Sequence, residues 1–256
     1  MRALPSLDLR QIGRDILGAW AFLVYTASHL RALSVGPVNT VFTRQLYFTG
    51  IQGIGLVLLV GLMVGALVVT QTTAVVGGDS ELTVRMLDWT VIGEAGPLLA
   101  AIVIVARSSV AIAAELALMR ARGETDHLEM LRIPALDYLV VPRMAALTLS
   151  LVVLTVYFQA IAVAGGLAVS ALTQNLSFTT QLARFLEITS VTNIGLAMLK
   201  SVAFGLAISA VSCWHGMGVA RSLIAVPIAA MNAVIQSLFA VILIDAVFAY
   251  LRYALL

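Results

Sequence analysis

Phe48–Val76 reads FTGIQGIGLVLLVGLMVGALVVTQTTAVV, an apolar run without a formal charge. As a helix rising about 1.5 Å per residue it is long enough to cross a bilayer's hydrocarbon layer, roughly 30 Å thick. It carries Gly61 and Gly65 in GxxxG spacing, with Gly53 and Gly55 before them, and small residues let helices approach closely in lipid. A dimer face at this pair is one expectation; ordinary membrane-helix glycine usage is the other.

Composition extends this reading to the whole chain. Its 256 residues are 61% apolar and 11% charged, with a mean hydropathy of +1.03, where soluble domains carry about 25% charged residues. The expected fold is all-α: one polytopic membrane domain with no sizeable soluble part. Four more spans are expected near Thr90–Met119, Met144–Leu172, Phe185–Cys213 and Leu223–Leu256. Polar breaks separate them: GGDSELTVRMLDW, then residues 120–143, then TQNLSFTTQLAR, then WHGMGVARS. Residues 1–47 form an expected N-terminal region and 48–256 the transmembrane domain.

Within 7–33, Leu7, Ile12, Ile16, Leu17 and Trp20 alternate at helical period with Asp8, Arg10, Arg14 and Asp15. That pattern predicts an amphipathic elbow helix lying in the interface. The alternative is a true span over Ile16–Leu33, ended by Gly36-Pro37. The N-terminus lacks a short apolar core followed by an A-x-A site, so it is expected to be retained. Basic residues gather at Arg2, Arg10, Arg14, Arg31 and Arg44, at Arg120, Arg122, Arg132 and Arg143, and at Arg221. The other side holds Arg85, Arg184 and Arg252. Cytoplasmic connections collect Arg and Lys, so five spans with a cytoplasmic N-terminus are expected.

Lys200 is the only lysine and sits inside IGLAMLKSVAFGLAI (194–208). Glu94 and Asp245 are similarly isolated in the second and fifth spans. Such a charge costs about 2.5–3.5 kcal/mol at membrane depth and faces a partner, a bundle interior or a wet cavity. The topology puts Glu94 and Asp245 in the outer half and Lys200 near the middle, so one outward-opening cavity is expected. Lys200 either attracts a lipid phosphate there, with the carboxylates keeping the vestibule wet, or forms an ion pair that only holds helices together.

Arg107 and Glu115 stand eight residues apart, about 80° around an α-helix. They are candidates for transmitting movement, with snorkelling as the plain alternative for Arg107. The segment RGETDHLEML (122–131) pairs Arg122 with Asp126 at i,i+4 and groups Leu128, Met130 and Leu131, which suits either docking onto a protein or a solvated loop. The single Cys213 and the dispersed His29, His127 and His215 form no metal spacing. No phosphate-cradling G-x-x-x-x-G-K-[ST] surrounds the sole lysine, where Ile194 and Leu199 stand instead of glycine and the glycine before lysine. No nucleophile–base pair argues for an enzyme, and no aromatic-interleaved basic patch argues for nucleic acid.

The block EAGP (94–97), AELALM (114–119), ETDHLEML (124–131) and PALDYLVVPR (134–143) resembles the MlaE/YrbE permease family of ABC-type lipid transporters. RQLYFTG (44–50) resembles the start of its first span, and LIDAVFA (243–249) resembles its last span. The resemblance implies a homodimeric, non-catalytic permease of the bacterial inner membrane that moves phospholipid or another hydrophobic molecule. It implies a cytoplasmic ATPase, which would hold ATP and Mg, docked on the 120–143 coupling segment through Glu124, Asp126, Leu128, Glu129 and Leu131. It also implies periplasmic MCE-domain partners and a charged lipid pathway at Glu94, Lys200 and Asp245. This chain departs from the family at Gly93-Glu94-Ala95-Gly96-Pro97, at Gly123 and His127, and in the short WHGMGVARSLIAVP connection. The competing class is an ion-coupled secondary transporter using Glu94 and Asp245, although paired broken helices and internal duplication are absent from the sequence.

Overall fold

The computed structural model describes residues 9–76, 80–174 and 177–255, and every regular element among them is helical. Helices suit lipid because they satisfy each backbone N–H and C=O within the segment. In chain order the helices are α1 (Leu9–Ser28), α2 (Gly36–Leu46), α3 (Gln52–Val76), α4 (Ser80–Leu87), α5 (Gly96–Ile104) and α6 (Val110–Ala121). They continue with α7 (Glu124–Met130), α8 (Val141–Gln174), α9 (Phe178–Ile188), α10 (Val191–Met217) and α11 (Ala225–Leu255). Wide π turns join α2 to α3, α4 to α5 and α5 to α6, so consecutive helices form longer runs.

Among the described residues, five runs are long and apolar enough to cross a membrane: Gly36–Val75, Glu81–Ala121, Leu136–Leu172, Val191–Met217 and Ala225–Arg252. The count agrees with the sequence reading, but several boundaries move. Pro37, at the helix start, opens the first run instead of ending an earlier one, because its fixed φ suits a first turn and its missing N–H costs nothing there. The helix then continues unbroken through the 47/48 position. Most of the expected break GGDSELTVRMLDW is helical from Ser80 on. The fourth span does not begin near Phe185: Thr189 is extended (φ −70°, ψ 116°), so α9 ends at Ile188 and the span starts at Val191. The side-chain register expected along Leu7–Leu17 lies outside the described side chains; beyond it, Trp20 is exposed.

Two π turns have the same cause. Gly96 N–H bonds to Val91 O and Val141 N–H bonds to Leu136 O, each an i→i−5 bond closed by the residue before a proline. A proline ring clashes with the carbonyl four residues back, at Gly93 for Pro97 and at Tyr138 for Pro142. Widening the turn relieves that clash without breaking the helix.

The chain divides into two compact units. The first takes the described residues up to Thr49, with Val105–Thr148 and Gly205–Leu243. Its buried side chains include Ile112, Leu116, Leu139, Met144 and Leu147, and Ser109 Oγ lies 2.8 Å from Ser212 Oγ. Phe22 meets Trp214 edge to face, with ring centroids 5.8 Å apart, and Trp214 also covers Gly18, where a side chain would clash. Tyr25 Oη donates to Asp137 Oδ1 at 2.8 Å, tying α1 to the segment before α8. Burial first, then that hydrogen bond and the Asp137 charge, raises the Tyr25 phenol above its ordinary pKa.

The second unit takes Gly50–Ile104, Leu149–Phe204 and the described residues from Ile244 on. Leu87, Leu151, Leu154, Phe158, Leu167 and Phe204 are fully buried in it. Gly61 and Gly65 are spent here. A Cβ at Gly61 would stand 3.1 Å from Phe158 O, and one at Gly65 would collide with the backbone of Ala162. The GxxxG pair therefore seats α3 on α8 within one chain, which corrects the dimer-face expectation: the close approach that small residues permit is already occupied.

Candidate functional site

The second unit gathers the three isolated charges. Lys200 Nζ donates to Glu94 Oε2 at 2.6 Å and stands 2.6 Å from Asp245 Oδ1. The lysine side chain is 3% exposed, while Glu94 and Asp245 are 27% and 24% exposed. The cation is thus enclosed and the carboxylates form the accessible side of the cluster.

Each charge comes from a different run. Glu94 lies in the π turn Asp88–Ala95 that Pro97 imposes, and Gln159 Nε2 donates to the Ile92 carbonyl there at 3.1 Å. The buried amide thereby satisfies a backbone oxygen in the irregular stretch. Lys200 projects from α10, with its ammonium 5.9 Å from the Phe204 ring centre. Next to it, Ser201 Oγ donates to Ala197 O and Thr155 Oγ1, so the neighbouring hydroxyls are satisfied without the lysine. Asp245 comes from α11.

A fourth charge joins them. Arg252 Nη1 donates to Glu94 Oε1 at 3.4 Å, and its guanidinium carbon lies 5.6 Å from the centre of the Trp89 ring. The sequence reading counted Arg252 only as a topology marker. A signal existed: Asp245 and Arg252 are seven residues apart, about 20° from eclipsed on a 3.6-residue helix. Gly93 allows the contact, because a Cβ there would occupy the place of Arg252 Nη1. The cluster holds two cations and two anions.

Asp88, also missed, is buried at the start of the same π turn. It accepts from Thr189 Oγ1 at 2.8 Å and Asn193 Nδ2 at 3.3 Å, fastening the break between α9 and α10.

Residues 120–143, the expected coupling segment, lie in the first unit. Gly123 has φ +76°, a left-handed conformation that glycine adopts without a Cβ clash, and α7 starts just after it. This corrects the expected Arg122–Asp126 pair: the helix is interrupted between them, so i,i+4 spacing does not apply. Arg122 instead reaches Glu124 at 3.8 Å. Asp126 is held by Arg120, 3.0 Å from its Oδ1, and by Arg221 on its Oδ2. The short 218–224 connection is therefore tied to α7. Met130, Leu131 and Glu129 are exposed, and Leu128 and Glu124 are half-buried.

Arg107 lies in the wide turn Val105–Ser109, so the angle to Glu115 reckoned along an unbroken α-helix does not hold. Glu115 accepts from buried Arg143 at 3.4 Å, and Arg143 also donates to Leu139 O at 3.0 Å. A cavity of about 540 Å³, also in the first unit, is lined by Asn39, Thr40, Thr43, Arg44 and Tyr47, none of them an expected site residue.

Five apolar runs and a charge cluster drawn from three of them define an all-α, multi-pass membrane protein. The chain belongs to the MlaE permease family, whose model (Permease MlaE) matches residues 42–251. A probable ABC transporter permease protein of Synechocystis is 31% identical over 181 residues, 71% of this chain and 66% of that protein. One of Rickettsia typhi is 29% identical over 198 residues, 76% of each chain. The intermembrane phospholipid transport system permease protein MlaE of Haemophilus influenzae is 30% identical over 125 residues, 48% of each.

Proposed function

We propose that this chain is the permease subunit of an ABC transporter for phospholipid or a related hydrophobic molecule, moved between the bacterial inner membrane and periplasmic MCE-domain proteins or the outer envelope. The observation that carries the reading is the meeting of Glu94, Lys200 and Asp245 in a chain of this family. Charges with no route to serve cost free energy in hydrocarbon, and a cluster with its carboxylates half-accessible suits a wet path for amphiphiles. The phospholipid system named for the Haemophilus relative supports the same cargo class.

In this reading the N-terminus is cytoplasmic, two copies pair, and ATP with Mg is held by a separate cytoplasmic ATPase. That ATPase grips α7 and its exposed apolar tip, through Glu124, Asp126, Leu128, Glu129 and Leu131. Nucleotide-driven movement then rocks the spans and opens or collapses the path. Glu115, bonded to Arg143, and Arg107 sit on the helical run leading to α7 and pass the movement on. Lys200 faces the lipid phosphate when movement draws one carboxylate away.

The test is copurification followed by lipid transfer between vesicles. A nucleotide-binding subunit should copurify, transfer should be vanadate-sensitive, and Lys200→Ala should assemble normally yet abolish transfer. Transfer that follows the proton gradient and ignores nucleotide would favour a secondary transporter. Disappearance of Lys200→Ala from the membrane would leave the cluster a purely structural tie.

A further inference from the structure

Lys200 is enclosed, with both carboxylates 2.6 Å away, so its charge is already matched in this state. Arg252 is placed differently. Its side chain is 17% exposed, its contact to Glu94 is a long 3.4 Å, and it packs over exposed Trp89. A guanidinium offers five N–H donors in a planar fork, and among the described residues its one long bond to Glu94 leaves most of that fork unused. Such a fork matches a phosphate's oxygens two at a time, and an aromatic face beneath it fixes its plane.

We infer that Arg252, seated over Trp89 in the space that Gly93 leaves open, takes the phosphate of an anionic amphiphile in the state seen here, before any movement frees Lys200 from its carboxylates. The inference rests on the lipid-permease reading and adds a residue and a ligand chemistry to it. Trp89 suits the role for a second reason: its ring is amphipathic, and an exposed tryptophan is at home beside lipid acyl chains and headgroups. Glu94 acts as the counter-ion that holds the guanidinium until phosphate displaces it. Gly93 is then a specificity element, since any side chain there removes the fork from its seat.

The full-length protein in detergent is titrated with fluorescent phosphatidylglycerol and with fluorescent diacylglycerol, which shares the tails and lacks the phosphate. Wild type should prefer phosphatidylglycerol by about tenfold or more, the scale of charge-assisted bidentate bonds. Arg252→Gln should erase that preference while leaving diacylglycerol binding unchanged. Gly93→Ala should do the same with the arginine still present, and it carries the test if Arg252→Gln does not assemble. A folded Arg252→Gln or Gly93→Ala protein that keeps the preference overturns the inference. Equal wild-type affinity for both lipids also overturns it and leaves the lipid reading standing; no affinity for either removes both. Full displacement of the label by low-millimolar inorganic phosphate would assign the site to the free anion and overturn the headgroup role.

Discussion

Lys200 shows how one residue can be legible and its surroundings not. A lone lysine in an apolar run demands a partner, and the structure supplies two carboxylates from other runs. Removing one partner of a buried pair costs about 3–5 kcal/mol, because it strands the other charge; the partial exposure of Asp245 brings the expectation to the lower end. Asp245→Asn leaves Lys200 paired with Glu94, so it should lower detergent-phase stability by only about 1–2 kcal/mol, read as a drop in melting temperature. Replacing both Lys200 and Asp245 with neutral residues should recover part of that loss. A double variant as unstable as the sum of its singles would show that the two do not interact.

At the scale of the element, close helix approach and backbone punctuation dominate. Gly65 faces the Ala162 backbone, which cannot yield as a side chain would. Gly65→Leu should destabilise the protein by about 1–3 kcal/mol or prevent α3–α8 packing, whereas Gly55→Leu, with open space around it, should be tolerated. Thermal unfolding of the two variants side by side checks this. The Tyr25–Asp137 contact predicts a pH effect. The phenol's pKa is raised on folding, so its contribution is complete below the ordinary tyrosine value near 10 and is lost as pH rises through the folded value. Alkaline titration of stability should show this loss in wild type and lack it in Tyr25→Phe. Helix existence was legible from apolar run length. The π turns were not read, although Pro97 and Pro142 mark where two of them had to form.

Across the whole molecule the question is how α7 and the 218–224 connection are held together. Asp126 draws Arg120 and Arg221 together, which connects α7 to the short 218–224 connection despite its reduced length. Arg221 is largely exposed, and exposed ion pairs contribute about 0–1 kcal/mol to stability. Asp126→Ala should accordingly leave the melting temperature nearly unchanged while reducing the yield of copurified ATPase several-fold. An unchanged yield would show that α7 is positioned without this clamp.

Periodicity-free apolar length determined the membrane class, the five runs and the isolation of Glu94, Lys200 and Asp245, because hydrocarbon thickness and the cost of charge act on the chain regardless of its folding. Three-dimensional packing decided the rest: that these charges meet, that Arg252 joins them through the gap at Gly93, that Asp126 chooses Arg120 and Arg221 over Arg122, and that Gly61 and Gly65 face α8. Those outcomes depend on helix rotation and on turns widened before prolines, and a shift of one residue moves a side chain by about 100°, which spacing along a sequence does not specify.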